Sequence, residues 1–219
     1  MKIYSLIFIA VVKLIADTNI YLDSSLEFKK KGIYSWVELK NKNLSRQKYD
    51  YSCGSASLAT ILKYFYNQDI DEKFILKEIL KRKKDKSSYR YVGLSFFDLE
   101  NFVRKIGFRA IGLSVNIDSL RNLKIPVILY IRVRDDSHFT VFKGMSNNFV
   151  YLADPSFGNI KIRLSKFKEM FYLANGKSKK GRILAIVPMD KRLRSNKDFF
   201  ILKKNTNLYK VLMFNQVFN

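Results

Sequence analysis

The spacing of apolar positions changes character once along this chain. Leu58, Ile61, Leu62 and Phe65 recur at i, i+3, i+4 and i+7, the stripe of a buried helix that begins near Cys53, Gly54 and Ser55. A second helix is predicted over 71–81, burying Phe74, Ile75 and Ile79, with Leu80 at its margin. Ser95 and Asp98 are spaced as a capping box and announce a third, which runs through Leu99, Phe102, Val103 and Ile106 until Gly107 stops it. From 126 onward the runs shorten and become β-branched: 126–133, 138–143, 149–154 and 182–187 read as strands. A helix over 165–172, with Phe167 and Phe171 four apart, interrupts them. Helices followed by strands imply an α+β domain with a mainly antiparallel sheet.

The two ends read differently. Lys2 precedes an apolar run over 3–12 that Leu14 and Ile15 resume after Lys13. The run is shorter than the roughly 20 apolar residues of a membrane span and has the length of a secretory signal's apolar region. Residues 1–16 are therefore expected to be a signal peptide cut after Ala16, the alternatives being a core strand or a retained anchor. Residues 17–35 form a lead-in segment, with 33–37 a short strand or an extended stretch. The folded domain spans 36–188, and 189–219 is a basic extension outside the core.

Composition narrows the chemistry. Of 219 residues, 47% are hydrophobic, enough for a core. A single Cys and a single His exclude an intramolecular disulfide and the ligand set of a structural zinc site. They also mean that any Cys–His chemistry has only one possible pair of participants. The 41 Lys and Arg against 19 Asp and Glu give +22, which suits an anionic membrane surface or an acidic substrate, or simply a solvated basic surface. No nucleic-acid motif accompanies the charge, and nucleic acid is not expected as a partner.

Cys53 stands at a helix N-terminus, where unpaired N–H groups and the helix dipole favour the nucleophilic thiolate. A lone Cys is by default a small buried hydrophobe. The polar setting of Ser52, Ser55 and Ser57, with Gln47 and Asp50 upstream, favours the reactive alternative. The strands 138–143 and 149–154 flank a turn, and a symmetric antiparallel hairpin centred on Ser146 pairs Lys143 with Phe149 and His138 with Asp154. In that register the acid orients the imidazole, as nucleophilic catalysis requires, whereas a slip of one residue puts the two on opposite faces. Gln47, six residues before Cys53, can bring its amide beside the Cys53 N–H as a second oxyanion donor.

The segment Arg46-Gln47-Lys48-Tyr49-Asp50-Tyr51-Ser52-Cys53-Gly54-Ser55-Ala56-Ser57-Leu58-Ala59 closely resembles the nucleophile motif of the C39 peptidases, bacteriocin-processing, double-glycine-type cysteine peptidases. Further matches follow in order at Gly93-Leu94-Ser95, Gly107-Phe108-Arg109-Ala110, Leu123 to Ile128, Ser137-His138-Phe139-Thr140-Val141 and Leu152-Ala153-Asp154-Pro155, so that the resemblance covers 36–187. It implies a papain-like fold, Cys53 as nucleophile, His138 as general base, Asp154 as orienting acid and Gln47 as oxyanion donor. No cofactor is implied. The chain shows no transporter and no ATP-binding P-loop, and its apparent export signal resembles a stand-alone exported branch. The expected substrate is then an exported or envelope polypeptide. A non-cleaving peptide-binding module and an acyl transferase with the same triad are the alternative readings.

Overall fold

Capping and burial account for where the helices begin. The computed structural model describes residues 35–82, 93–134, 136–173, 179–190 and 192–200. The expected signal peptide, nearly all of the lead-in segment and the extension beyond 200 lie outside the described residues. Ser35 accepts from the Glu38 N–H while Glu38 accepts from the Ser35 N–H, and this capping box starts α1 (Trp36–Asn41). The strand or extended stretch expected at 33–37 is therefore helical from Trp36 on, because a local cap outweighs the β-branched composition.

Helix α2 (Cys53–Thr60) is buried along almost its whole length. Leu58, Ile61, Leu62 and Phe65 are all buried as the stripe predicts, but Ile61–Phe65 is a π-helical turn closed by Tyr66 N–H to Ile61 C=O. Asp71 caps α3 (Glu72–Leu80), where Ile75, Leu76 and Ile79 face inward. Phe74, expected inside, is 49% exposed and meets Phe102 edge-on at the rim. The Ser95/Asp98 box opens α4 (Phe96–Lys105) as anticipated.

The chain then makes β1 (Phe108–Val115), a short α5 (Ile117–Arg121), β2 (Val127–Val133), β3 (Asp136–Met145), β4 (Phe149–Asp154), β5 (Gly158–Arg163), α6 (Leu164–Leu173) and β6 (Gly181–Pro188). All pairings in the sheet are antiparallel, in the order β1-β6-β2-β3-β4-β5. The last strand thus enters between β1 and β2. Alternate residues serve two cores: Ile128, Val141, Leu184 and Ile186 pack with α2, α3 and α4, while Val127, Leu129, Ile131, Ile183 and Ala185 pack with Phe167 and Phe171 of α6. Gly181 admits that helix, since a Cβ there would lie 2.2 Å from the Phe171 ring.

The stretch after β6 departs from expectation. Asn196 donates its N–H to Phe65 C=O at 2.7 Å, and Phe199, at the end of a 3-10 turn (Lys197–Phe199), is fully buried with its ring 5.9 Å from Phe65. Phe199, with Leu193 and Phe200 partly buried beside it, therefore packs against the core that 189–219 was expected to lie outside, while residues 201–219 lie outside the described residues. The reason is a pair of aromatic side chains, Phe199 and Phe200, that find apolar cover beside Phe65.

Candidate active site

Cys53 is the first residue of α2 and remains partly exposed at its N-terminus. Gly54 decides how closely that helix end approaches β3, because a Cβ there would stand 3.0 Å from the Phe139 ring and 3.3 Å from Leu94 Cβ. Phe139 follows His138, so this contact sets the distance between Cys53 and His138. The ring of Phe139 is held in turn by Phe96, stacked at 5.0 Å, and Tyr130.

His138 Nε2 lies 2.9 Å from Asp154 Oδ2. The other carboxylate oxygen accepts the N–H groups of Ser156 at 2.9 Å and Phe157 at 3.0 Å. Asp154 is sealed, its side chain 1% exposed, whereas His138 keeps 12% open to solvent. Burial pulls the His138 pKa down, but hydrogen bonds to Asp154 and Cys53 and the charge of both acids push it up, to about 10. With Nε2 engaged by Asp154, Nδ1 is the ring nitrogen left for the Cys53 thiol.

The hairpin that brings His138 and Asp154 together is not the symmetric one expected. Met145 pairs with Val150, Gly144 with Tyr151, Phe142 with Leu152 and Val141 with Ala153. Lys143, expected opposite Phe149, is instead an extra residue, a β-bulge. Continuing the register past Val141 puts Thr140 opposite Asp154 and leaves His138 diagonal to it, two residues on and on the same side. Without the bulge the pairing nearest the turn would oppose Asp154 to Val141 and send His138 to the other face. The juxtaposition inferred from the sequence holds, and its stated register does not.

The side chain of Lys143 is buried, with Nζ 3.4 Å from Asn159 Oδ1 and 4.6 Å from the centre of the Phe199 ring. Burial, reinforced by Lys42, lowers its pKa to about 7.

Gln47 sits in the loop before Cys53. Its main-chain N–H donates to Pro155 C=O at 3.1 Å, and Arg46 Nη2 donates to Ser156 C=O at 2.5 Å, so the loop is tied to the turn that holds Asp154. The Gln47 side-chain Oε1 is buried and has no hydrogen-bond partner among the described residues. Gly54, Phe139 and the Lys143 bulge escape sequence reasoning, since each acts through a non-local contact. Among the described residues no group of three His, Cys, Asp or Glu side chains is placed to hold a metal.

A thiol at a helix N-terminus, an imidazole beside it and a sealed carboxylate behind form one constellation. The family model described as the peptidase C39 family matches residues 41–174. The chain belongs to the peptidase C39 family. That membership makes it a cysteine peptidase, a hydrolase, by class. Among C39 relatives, a Pseudomonas fluorescens protein described as "Probable functional amyloid protease FapD" is 37% identical over 137 residues, which are 63% of this chain. The match spans 60% of that relative's length.

Two solved C39 domains share the papain-like fold. The peptidase domain of Streptococcus ComA, a bifunctional ABC transporter, superposes with a TM-score of 0.53 at 19% identity, covering 66% of this chain and 97% of its own. A double-glycine motif protease from an AMS/PCAT transporter, solved in complex with the leader peptide, gives 0.52 at 23% identity, covering 66% and 90%. Strand β6 and residues 192–200 lie beyond the part matched by the family model.

Proposed function

We propose that this C39 peptidase cleaves a peptide bond in an exported or envelope protein through Cys53, His138 and Asp154, with Gln47 as an oxyanion donor. The observation that carries the reading is His138 hydrogen-bonded to the sealed Asp154, with Cys53 at a helix N-terminus among the groups that raise its pKa. The Cys53 thiolate attacks the peptide carbonyl carbon, forming a C–S bond and an oxyanion that the Cys53 N–H and the Gln47 amide stabilise. As the tetrahedral species collapses, the C–N bond breaks and imidazolium His138 gives its proton to the leaving amine. Neutral His138 then takes a proton from water, whose oxygen attacks the thioester carbonyl. The C–S bond breaks, the carboxylic acid leaves, and the thiolate–imidazolium pair is restored.

The name of the Pseudomonas relative ties that protein to functional amyloid, and the substrate class proposed here is an exported protein of that kind. The complex of a related domain with a leader peptide supports a polypeptide substrate. The +22 charge draws the protein toward anionic membrane surface, an attraction that weakens with salt. Comparative mapping of protein N-termini in the envelope of cells carrying wild-type or Cys53→Ala protein tests the reading. A terminus present only with wild type identifies substrate and bond, whereas identical termini in both would sink the peptidase reading.

A further inference from the structure

Glu72 carries a carboxylate that the proposed reaction does not use, and it is 3% exposed. Among the described residues it forms no ion pair. One oxygen, Oε1, accepts the Lys48 N–H at 2.9 Å and the Ser52 hydroxyl at 2.5 Å. The Ser52 hydroxyl oxygen accepts the Tyr49 N–H at 3.1 Å. The Ser52 hydroxyl has two acceptors within reach, Glu72 Oε1 at 2.5 Å and Tyr49 C=O at 2.8 Å; the carbonyl already takes the Ser52 N–H at 3.0 Å, and the carboxylate is the nearer and stronger acceptor. The other oxygen, Oε2, is buried with no hydrogen-bond partner.

A buried carboxylate without a cation is costly, and an apolar side chain would fill the same space at lower cost. What an apolar side chain cannot do is bind the residue after Gln47 and the residue before Cys53 with one atom. The opposite side of the loop is fixed by Pro155 and Ser156, next to Asp154. Gln47 is thus held between the turn of the orienting acid and the Glu72 carboxylate, and its distance from the Cys53 N–H depends on both.

We propose that Glu72 is a positioning residue for the oxyanion hole, clamping the 48–52 loop so that the Gln47 amide and the Cys53 N–H converge on one point. The inference rests on the reading of Cys53 and Gln47 given above. Its chemistry separates two properties of the thiol. Alkylation by iodoacetamide needs the thiolate alone, whereas acylation by p-nitrophenyl acetate also forms an oxyanion. The ratio of the two rates at Cys53 therefore reports the hole.

The experiment measures that ratio in the full chain for wild type, Gln47→Ala, Glu72→Leu, Glu72→Gln and Ser52→Ala, with Cys53→Ala as the blank and thermal unfolding as the check on folding. In Glu72→Leu the ratio is expected to fall at least tenfold through acylation, with alkylation changing less than twofold. Glu72→Gln keeps an acceptor at Oε1 and is expected to stay within about threefold of wild type. A folded Glu72→Leu protein with an unchanged ratio, or with both rates reduced in parallel, overturns the proposal. Should Glu72→Leu fail to fold, Ser52→Ala decides: a ratio at least threefold lower supports the clamp and an unchanged one overturns it. If Gln47→Ala leaves the ratio intact, the oxyanion reading itself has failed; if Gln47→Ala lowers it and Glu72→Leu does not, only the clamp has.

Discussion

Replacing Asp154 by Asn changes one atom and no shape, yet the hydrogen bonds around it fix the result. Its Oδ1 accepts two main-chain N–H groups, from Ser156 and Phe157, and its Oδ2 faces His138 Nε2. Turning an amide N–H₂ toward Ser156 and Phe157 would strip two donors of their acceptor, at about 1–3 kcal/mol each. Turning it toward His138 sets one donor against Nε2, which can respond by accepting. The second orientation wins, and the single proton of neutral His138 moves to Nδ1, the nitrogen that should receive the thiol proton. The corresponding change in a serine protease triad lowers kcat by about 10⁴, roughly 5 kcal/mol at 1.36 kcal/mol per decade.

Acylation of Cys53 by p-nitrophenyl acetate at pH 7 measures the loss. The single His gives a second readout, because its C2–H proton resonance titrates without overlap. In wild type Asp154 and Cys53 keep the ring protonated well above the ordinary pH of 6.5. Removing one of those acids while burial still opposes the charge moves the titration down. Acylation within tenfold of wild type together with an unmoved titration would refute the orientation argument.

Two further outcomes follow from buried groups. Phe199→Ala empties a fully buried aromatic site beside Phe65 and should cost about 3–5 kcal/mol in urea unfolding; a loss below 1 kcal/mol would show that residues 192–200 are not core. Lys143→Met removes a buried amine whose pKa is lowered from 10.5 to about 7, and should stabilise the protein at pH 7 by about 1–4 kcal/mol. The lysine's lowered pKa makes wild-type stability rise between pH 7 and 10.5. The raised pKa of His138 works the other way, its contribution being full below pH 6.5 and lost toward pH 10. Unfolding of Lys143→Met across that window should therefore expose a decline that the wild type masks, and a less stable variant with a flat profile contradicts it.

Features set by near neighbours were legible in the chain itself. The stripe from Leu58 to Phe65 needs only helical spacing, the Ser95/Asp98 box needs four consecutive residues, and the strand runs need only their own composition. The single Cys and single His left no choice of partners. The α1 cap at Ser35 and Glu38 was equally local, but the β-branched and aromatic residues around it concealed it. What the sequence left open was everything fixed by pairing across distance. Strand β1 is largely exposed and shows little alternation in its burial, and the alternation in β5 rests on only two apolar residues, Ile160 and Ile162, so neither stood out.

The entry of β6 between β1 and β2, the return of Phe199 to the core and the use of Glu72 all depend on contacts formed only once the sheet exists. Cys53, His138, Asp154 and Gln47 could be named from type and spacing. That His138 and Asp154 share a face was decided by one extra residue in β3, since side chains alternate with a period of two and a single bulged position reverses every side chain beyond it.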